Sequence, residues 1–102
     1  MPNRSEKWKR TAISKALEAL TAASANPAGA GPDAVIQFRG HVLTIVSAAG
    51  DPFVKQLAEH LVSCAELLFV GPPTKPESEY RRRLFKAYEA LREALRSRGL
   101  CD

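Results

Sequence analysis

The sequence holds little cysteine: Cys64 and Cys101 stand far apart, with no pattern of paired ligands. That sparsity excludes a disulfide scaffold and a zinc module, and it suits a reducing, cytoplasmic setting. No apolar run approaches the roughly 20 residues needed to cross a bilayer. The start, Met1 to Arg10, is polar and basic with no apolar stretch behind it, so neither a membrane span nor a signal peptide is expected. There is no glycine-rich phosphate loop, no paired-carboxylate motif and no nucleophile elbow around any of the serines. We therefore expect no enzyme, no cofactor, no metal site and no small-molecule substrate.

What is present is the balance of a folded protein, 45% hydrophobic and 25% charged residues in 102. A chain of this size has room for one core, so residues 1–102 are read as a single helical domain. The net charge of +4 is uneven. Arg4, Lys7, Lys9, Arg10 and Lys15 outnumber Glu6 and Glu18 near the start, and seven basic side chains outnumber five acidic ones after residue 75. Between them the balance is slightly acidic, with Arg39, Lys55 and Lys75 against Asp33, Asp51, Glu59 and Glu66.

Four helices are expected, at about 4–25, 33–49, 52–70 and 76–98. The first is rich in Ala, Leu, Lys and Glu and puts Ile13, Leu17 and Leu20 on one arc. Asn3 with Glu6, or Ser5 alone, would cap its start. The cluster NPAGAGP follows and reads as a flexible loop over 26–32 that leaves the first helix free to dock independently. The second segment is rich in β-formers, and a hairpin at about 35–46, pairing 35–38 with 42–46, is the α+β alternative. Helix is favoured because Val35, Phe38, Val42, Ile45 and Ala49 step by three and four along one stripe.

Gly50-Asp51-Pro52 supplies a helix stop, an N-cap and a first-position proline in succession. The third helix has the stripe Val54, Leu57, Leu61, Cys64 and Leu68. Gly71-Pro72-Pro73 ends it, and Thr74 with Glu77 has the spacing of a capping box for the fourth, with Pro76 in its first turn. That helix buries Tyr80, Leu84, Ala87, Tyr88, Leu91 and Leu95, and pairs Glu77 with Arg81 and Glu79 with Arg83. The expected fold is all-α: a small four-helix bundle in which the middle helices form an antiparallel hairpin and the basic first and last helices pack over it.

Opposite its stripe the second helix presents Gly40, Thr44 and Ser47, small or neutral residues that let another helix approach, inside the bundle or in a dimer. On the fourth, Arg81, Phe85, Arg92 and Arg96 share about 60° of arc, with Arg82 close by. Guanidinium groups beside an aromatic ring suit phosphate contacts plus stacking. Glu89 and Glu93 on the same helix support the plainer reading of a solvated face with weak ion pairs. Trp8 lies about 140° round from Ile13, near Arg4 and Lys15. It either stacks on a partner or folds back onto the core, and the usual burial of tryptophan favours the second.

His41 and His60 are equally distant from the turn between the middle helices and read as boundary residues, since no third metal ligand is spaced to join them. Cys64 reads as buried and Cys101 as exposed. Two functions remain. The first is a non-catalytic protein–protein interaction module, binding another protein or itself as an inhibitor, adaptor or assembly subunit. The alternative is a sequence-nonspecific small subunit of a nucleoprotein complex, holding single-stranded nucleic acid, or an acidic protein surface, with the basic residues of the first and last helices. The two diverge on whether those basic residues converge on one face.

Overall fold

The computed structural model describes residues 4–102, with side chains from Lys7 onward. Its elements are α1 (Arg4–Ser24), α2 (Pro32–Ala49), α3 (Pro52–Phe69) and α4 (Glu77–Ser97), with no strand among the described residues. Each boundary lies within a residue of its expected place. The hairpin alternative does not form, because α2 runs unbroken across residues 35–46. Its β-branched Val35, Val42 and Ile45 are buried on one helical face, and that packing overrides their weak helix propensity.

The caps follow the sequence only in part. Asp51 is the N-cap of α3 and accepts from the Phe53 amide at 2.8 Å and the Val54 amide at 3.1 Å. Gly50 closes α2 in the left-handed conformation, its N–H reaching the Val46 carbonyl. The expected Thr74–Glu77 capping box is absent: Pro76 is the N-cap of α4, with no side-chain cap bond. Both members are engaged elsewhere, the Thr74 hydroxyl with the Tyr80 hydroxyl at 2.9 Å and the Glu77 carboxylate with the Ala28 amide at 3.0 Å. The Asn3–Glu6 capping box lies outside the described residues, and Ser5 is inside α1 rather than before it.

Consecutive helices pack on one another, α1 on α2, α2 on α3 and α3 on α4, in a rod of 50 × 22 × 20 Å. A cross-section of two helix diameters each way is that of a two-by-two bundle. The loop over 26–32 is not the loose tether expected. The Gly29 and Gly31 amides donate to the Leu68 and Phe69 carbonyls at 3.1 and 3.0 Å, which pins the loop across the end of α3 and fixes α1 in place.

One cluster of buried side chains joins all four helices. At its centre are Ile13 and Leu20, Phe38 and Ile45, Leu61 and Phe69, and Leu91 and Leu95; Phe38 and Phe69 meet edge to face at 6.1 Å. Ala48 rather than Ala49 completes the stripe of α2, and Leu57 and Tyr88 are only half-buried. No polar or charged side chain is buried among the described residues. The chemistry of the chain is therefore carried on its surface.

Candidate interaction surfaces

The backbones of α1 and α4 barely approach. Long side chains bridge the gap. Arg81 donates to the Ser24 carbonyl at 2.9 Å and the Asn26 carbonyl at 2.8 Å, with Glu77 also within 3.4 Å. α1 has no basic residue in its last turn, so Arg81 supplies from α4 the positive charge that a helix C-terminus favours. Arg81 is thus a clamp between helices and is withdrawn from the expected phosphate-binding group. Below it lies a groove of about 320 Å³ lined by Thr21, Leu84, Phe85 and Tyr88, with the Thr21 and Tyr88 hydroxyls 3.3 Å apart. Phe85 is 63% exposed at its rim.

Beyond Thr21 and Tyr88 a second groove, about 330 Å³, is lined by Arg92 and by the segment after α4. Arg98 caps the helix, Gly99 turns left-handed at φ +71°, and the Leu100 amide returns to the Leu95 carbonyl at 2.9 Å, a Schellman turn that sends the chain back along α4. Cys101, expected to be exposed, is therefore 7% exposed, its thiol 3.6 Å from the Arg92 carbonyl. Asp102 beyond it pairs with Arg10 of α1 at 2.6 Å. Burial pushes the Cys101 thiol up, opposed by the positive fields of Arg92, Arg96 and Arg10. Arg10 and Arg92, one from each basic helix, thus lie beside the Cys101–Asp102 segment.

The other basic residues do not join them. Lys15 stands about 140° round α1 from Arg10, and Trp8 about 160°. Trp8 is 64% exposed and does not fold back onto the core as the commoner behaviour of tryptophan suggests. Lys7 is exposed and Lys9 half-buried. The side chain of Arg4 lies outside the described residues. On α4, Arg96 pairs with Glu93 at 3.0 Å and Arg83 with Glu79 at 3.1 Å, while Arg82 and Arg92 have no ion-pair partner among the described residues.

α2 presents a different surface. Gly40, Thr44 and Ser47 are all exposed, so α2 is covered on one side by its own bundle and not on two. Beside them the structure reveals two residues that the sequence reasoning passed over, Ile36 at 65% and Leu43 at 55% exposure. Their signal was available: Ile36, Gly40, Leu43 and Ser47 step by four, three and four, a second stripe opposite the first. The groove between α2 and α3, about 280 Å³, continues this surface through Val46, Ala58 and Val62. Arg39, on the α3 side of α2, is neutralised by Glu66 at 2.6 Å.

His41 is half-buried and His60 exposed, and no group of three metal-ligating side chains occurs among the described residues. His60 Nε2 lies 3.8 Å from Cys64 Sγ, a neighbour four residues on along α3 that the sequence analysis did not pair with it. Cys64 is buried, which raises its thiol pKa, with Arg83 opposing. No helix is long and apolar enough to cross a membrane among the described residues.

The fold and its surfaces define an all-α bundle with an exposed, largely apolar stripe along α2 and a side-chain-clasped groove between α1 and α4. None of the protein-family models, curated proteins or solved structures compared with this chain matches it.

Proposed function

We propose that the chain is a non-catalytic helical interaction module that docks a protein through the outer face of α2. One observation carries this reading: Ile36 and Leu43 stand more than half exposed on a face whose one acidic or basic side chain is Asp33 in the first turn, in a protein whose composition is one quarter charged. Exposed apolar side chains gathered on one helix face, with a contiguous apolar groove beside them, are the usual mark of an interface. The rigid backing of α2 by Phe38, Val42 and Ile45 supports the same reading, since a preorganised surface spends less conformational entropy on binding. Such a module works in a reducing compartment such as the cytoplasm, where Cys64 and Cys101 stay as thiols.

The test is a photo-crosslinking side chain placed at position 43 in the producing cell, with position 86 on α4 as the control. Adducts from 43 and none from 86 support the docking face; equal or no crosslinking from 43 removes it.

A second reading rests on the arginines around Cys101. Arg10 and Arg92 beside the Cys101–Asp102 segment, with Arg96 one turn further along α4 and exposed Phe85 two turns before Arg92, fit a weak phosphate-tracking site for single-stranded nucleic acid. Its support is smaller, because Arg10 and Arg96 are already paired with carboxylates and Arg81 is committed to α1. Binding to labelled single strands at low salt, lost in Arg92→Glu, Arg96→Glu, tests it.

A further inference from the structure

α2 carries one residue that its own chain does not explain. Gly40 sits in the middle of the helix and is not among the glycines with positive φ, so the backbone does not require it. A Cβ added there would meet nothing within 4 Å, so packing inside the chain does not require it either. An interior glycine weakens a helix, and here the weakening has no return within one molecule. The space it leaves opens outward, on the stripe where Ile36, Gly40, Leu43 and Ser47 alternate bulky and small.

We infer that this face pairs with the same face of a second copy of the chain, antiparallel about a two-fold axis; the inference rests on the docking role proposed above and names the partner. A two-fold interface must be complementary to itself, each residue i meeting a residue j while j meets i. With the axis between His41 and Val42, Ile36 of one copy stands level with Ser47 of the second copy, and Gly40 with Leu43 of the second copy. Every bulky side chain then meets a small residue, and the Leu43 side chain enters the space beside Gly40. A parallel pair would instead set Ile36 against Ile36 and Leu43 against Leu43, holding the backbones apart where the glycine lets them close.

The charges select the same face. The net charge of +4 repels one copy from another over most of the surface, and α4 in particular carries Arg81, Arg82 and Arg83 in succession. From Ala34 to Gly50 the only arginine or lysine is Arg39, already neutralised by Glu66, and there is no Asp or Glu. Pairing along the stripe from Ile36 to Ser47 therefore buries no unpaired charge at its centre, and Asp33, Lys55 and Glu59 stand at its rim, where water still reaches them. α2 has 18 residues, about 27 Å of helix, and the bundle is 20 Å wide. Covering that face removes roughly 1,000 Å² in total from both copies, the lower bound of a specific interface, so the dimer is weak, micromolar and in rapid exchange.

Sedimentation of the whole chain from low to several hundred micromolar should show a monomer–dimer equilibrium. Gly40→Leu and Leu43→Glu should each weaken it by roughly tenfold or more while circular dichroism stays helical. A chain that remains monomeric throughout, or variants that dimerise like the original, overturn the inference. Cysteine trapping fixes the direction, since Cys64 and Cys101 are buried. Ile36→Cys chains mixed with Ser47→Cys chains should form a disulfide. Ser47→Cys alone should not, because the two thiols would lie about 16 Å apart along the helix axes; a disulfide there shows a parallel pair and overturns the antiparallel one. The crosslinker at position 43 separates this inference from the docking role. An adduct at twice the chain mass supports self-pairing, an adduct only with a different protein overturns it and leaves the docking role, and no adduct overturns both.

Discussion

Asp51 and Arg98 tie the turn between α2 and α3 to the end of α4: Arg98 Nε donates to Asp51 Oδ2 at 2.6 Å while the other carboxylate oxygen caps α3. Arg98 also lies over the Phe53 ring, 5.2 Å from its centre. Three elements thus meet at one carboxylate.

This contact makes stability depend on acid. The Arg98 hydrogen bond first, then the Val54 amide, holds the Asp51 carboxyl below its usual range. The folded pKa being the lower, the stabilisation is present above the unfolded value of about 4 and disappears as pH falls through the folded value. Asp51→Asn keeps the shape of the cap and loses the charge. Its thermal midpoint should lie below that of the original chain at neutral pH, and the gap should close progressively below about pH 4.

Gly40→Ala should stabilise the isolated chain by about 1 kcal/mol, because alanine is the better helix former and the added methyl meets nothing. Urea unfolding at low concentration measures this. A destabilised variant would show that Gly40 serves the monomer after all.

Arg81→Met keeps the aliphatic stem and removes the clamp on α1. Two charged hydrogen bonds to carbonyls go unmade, and since the side chain is partly exposed and water replaces it in part, a loss of about 2 kcal/mol is expected in urea unfolding. Arg82→Met, one residue on and exposed, should change stability by less than about 0.5 kcal/mol.

Asp102→Ala removes the partner of Arg10 and loosens the segment that covers Cys101. An exposed ion pair contributes under about 1 kcal/mol, so alkylation of Cys101 should accelerate about two- to fivefold. Cys64, buried in the bundle, should keep its rate. Peptide mapping of the labelled thiols distinguishes the two.

The helices were legible because their determinants are local. Gly50-Asp51-Pro52 carries its stop, cap and start within three residues, and the stripe of α2 outweighs its β-formers once buried. The Thr74–Glu77 box failed for a tertiary reason, as Glu77 is drawn to the Ala28 amide, 49 residues away. Arg81 shows the same limit, its helical pairing with Glu77 being readable and its hold on Ser24, 57 residues off, not. Cys101 was misplaced because Gly99 reverses the chain after α4, and a glycine past a helix end does not say where the next residues land. Of the candidate surface, Gly40, Thr44 and Ser47 were found by their smallness, while Ile36 and Leu43, which lie off the Val35–Ala49 stripe, were given no place on either face.

The clasped edge between α1 and α4 makes the bundle mechanically anisotropic. Across the other three edges the helices approach closely and buried apolar side chains fill the contact. Across this one, the load falls on Arg81 at one end, the Thr21–Tyr88 contact midway and Arg10–Asp102 at the other. A strain applied to the rod should be taken up first by rearrangement of these few polar arms, on the side opposite the α2–α3 packing. The outer face of α2, backed by Phe38, Val42 and Ile45, should then keep its shape while the far edge yields.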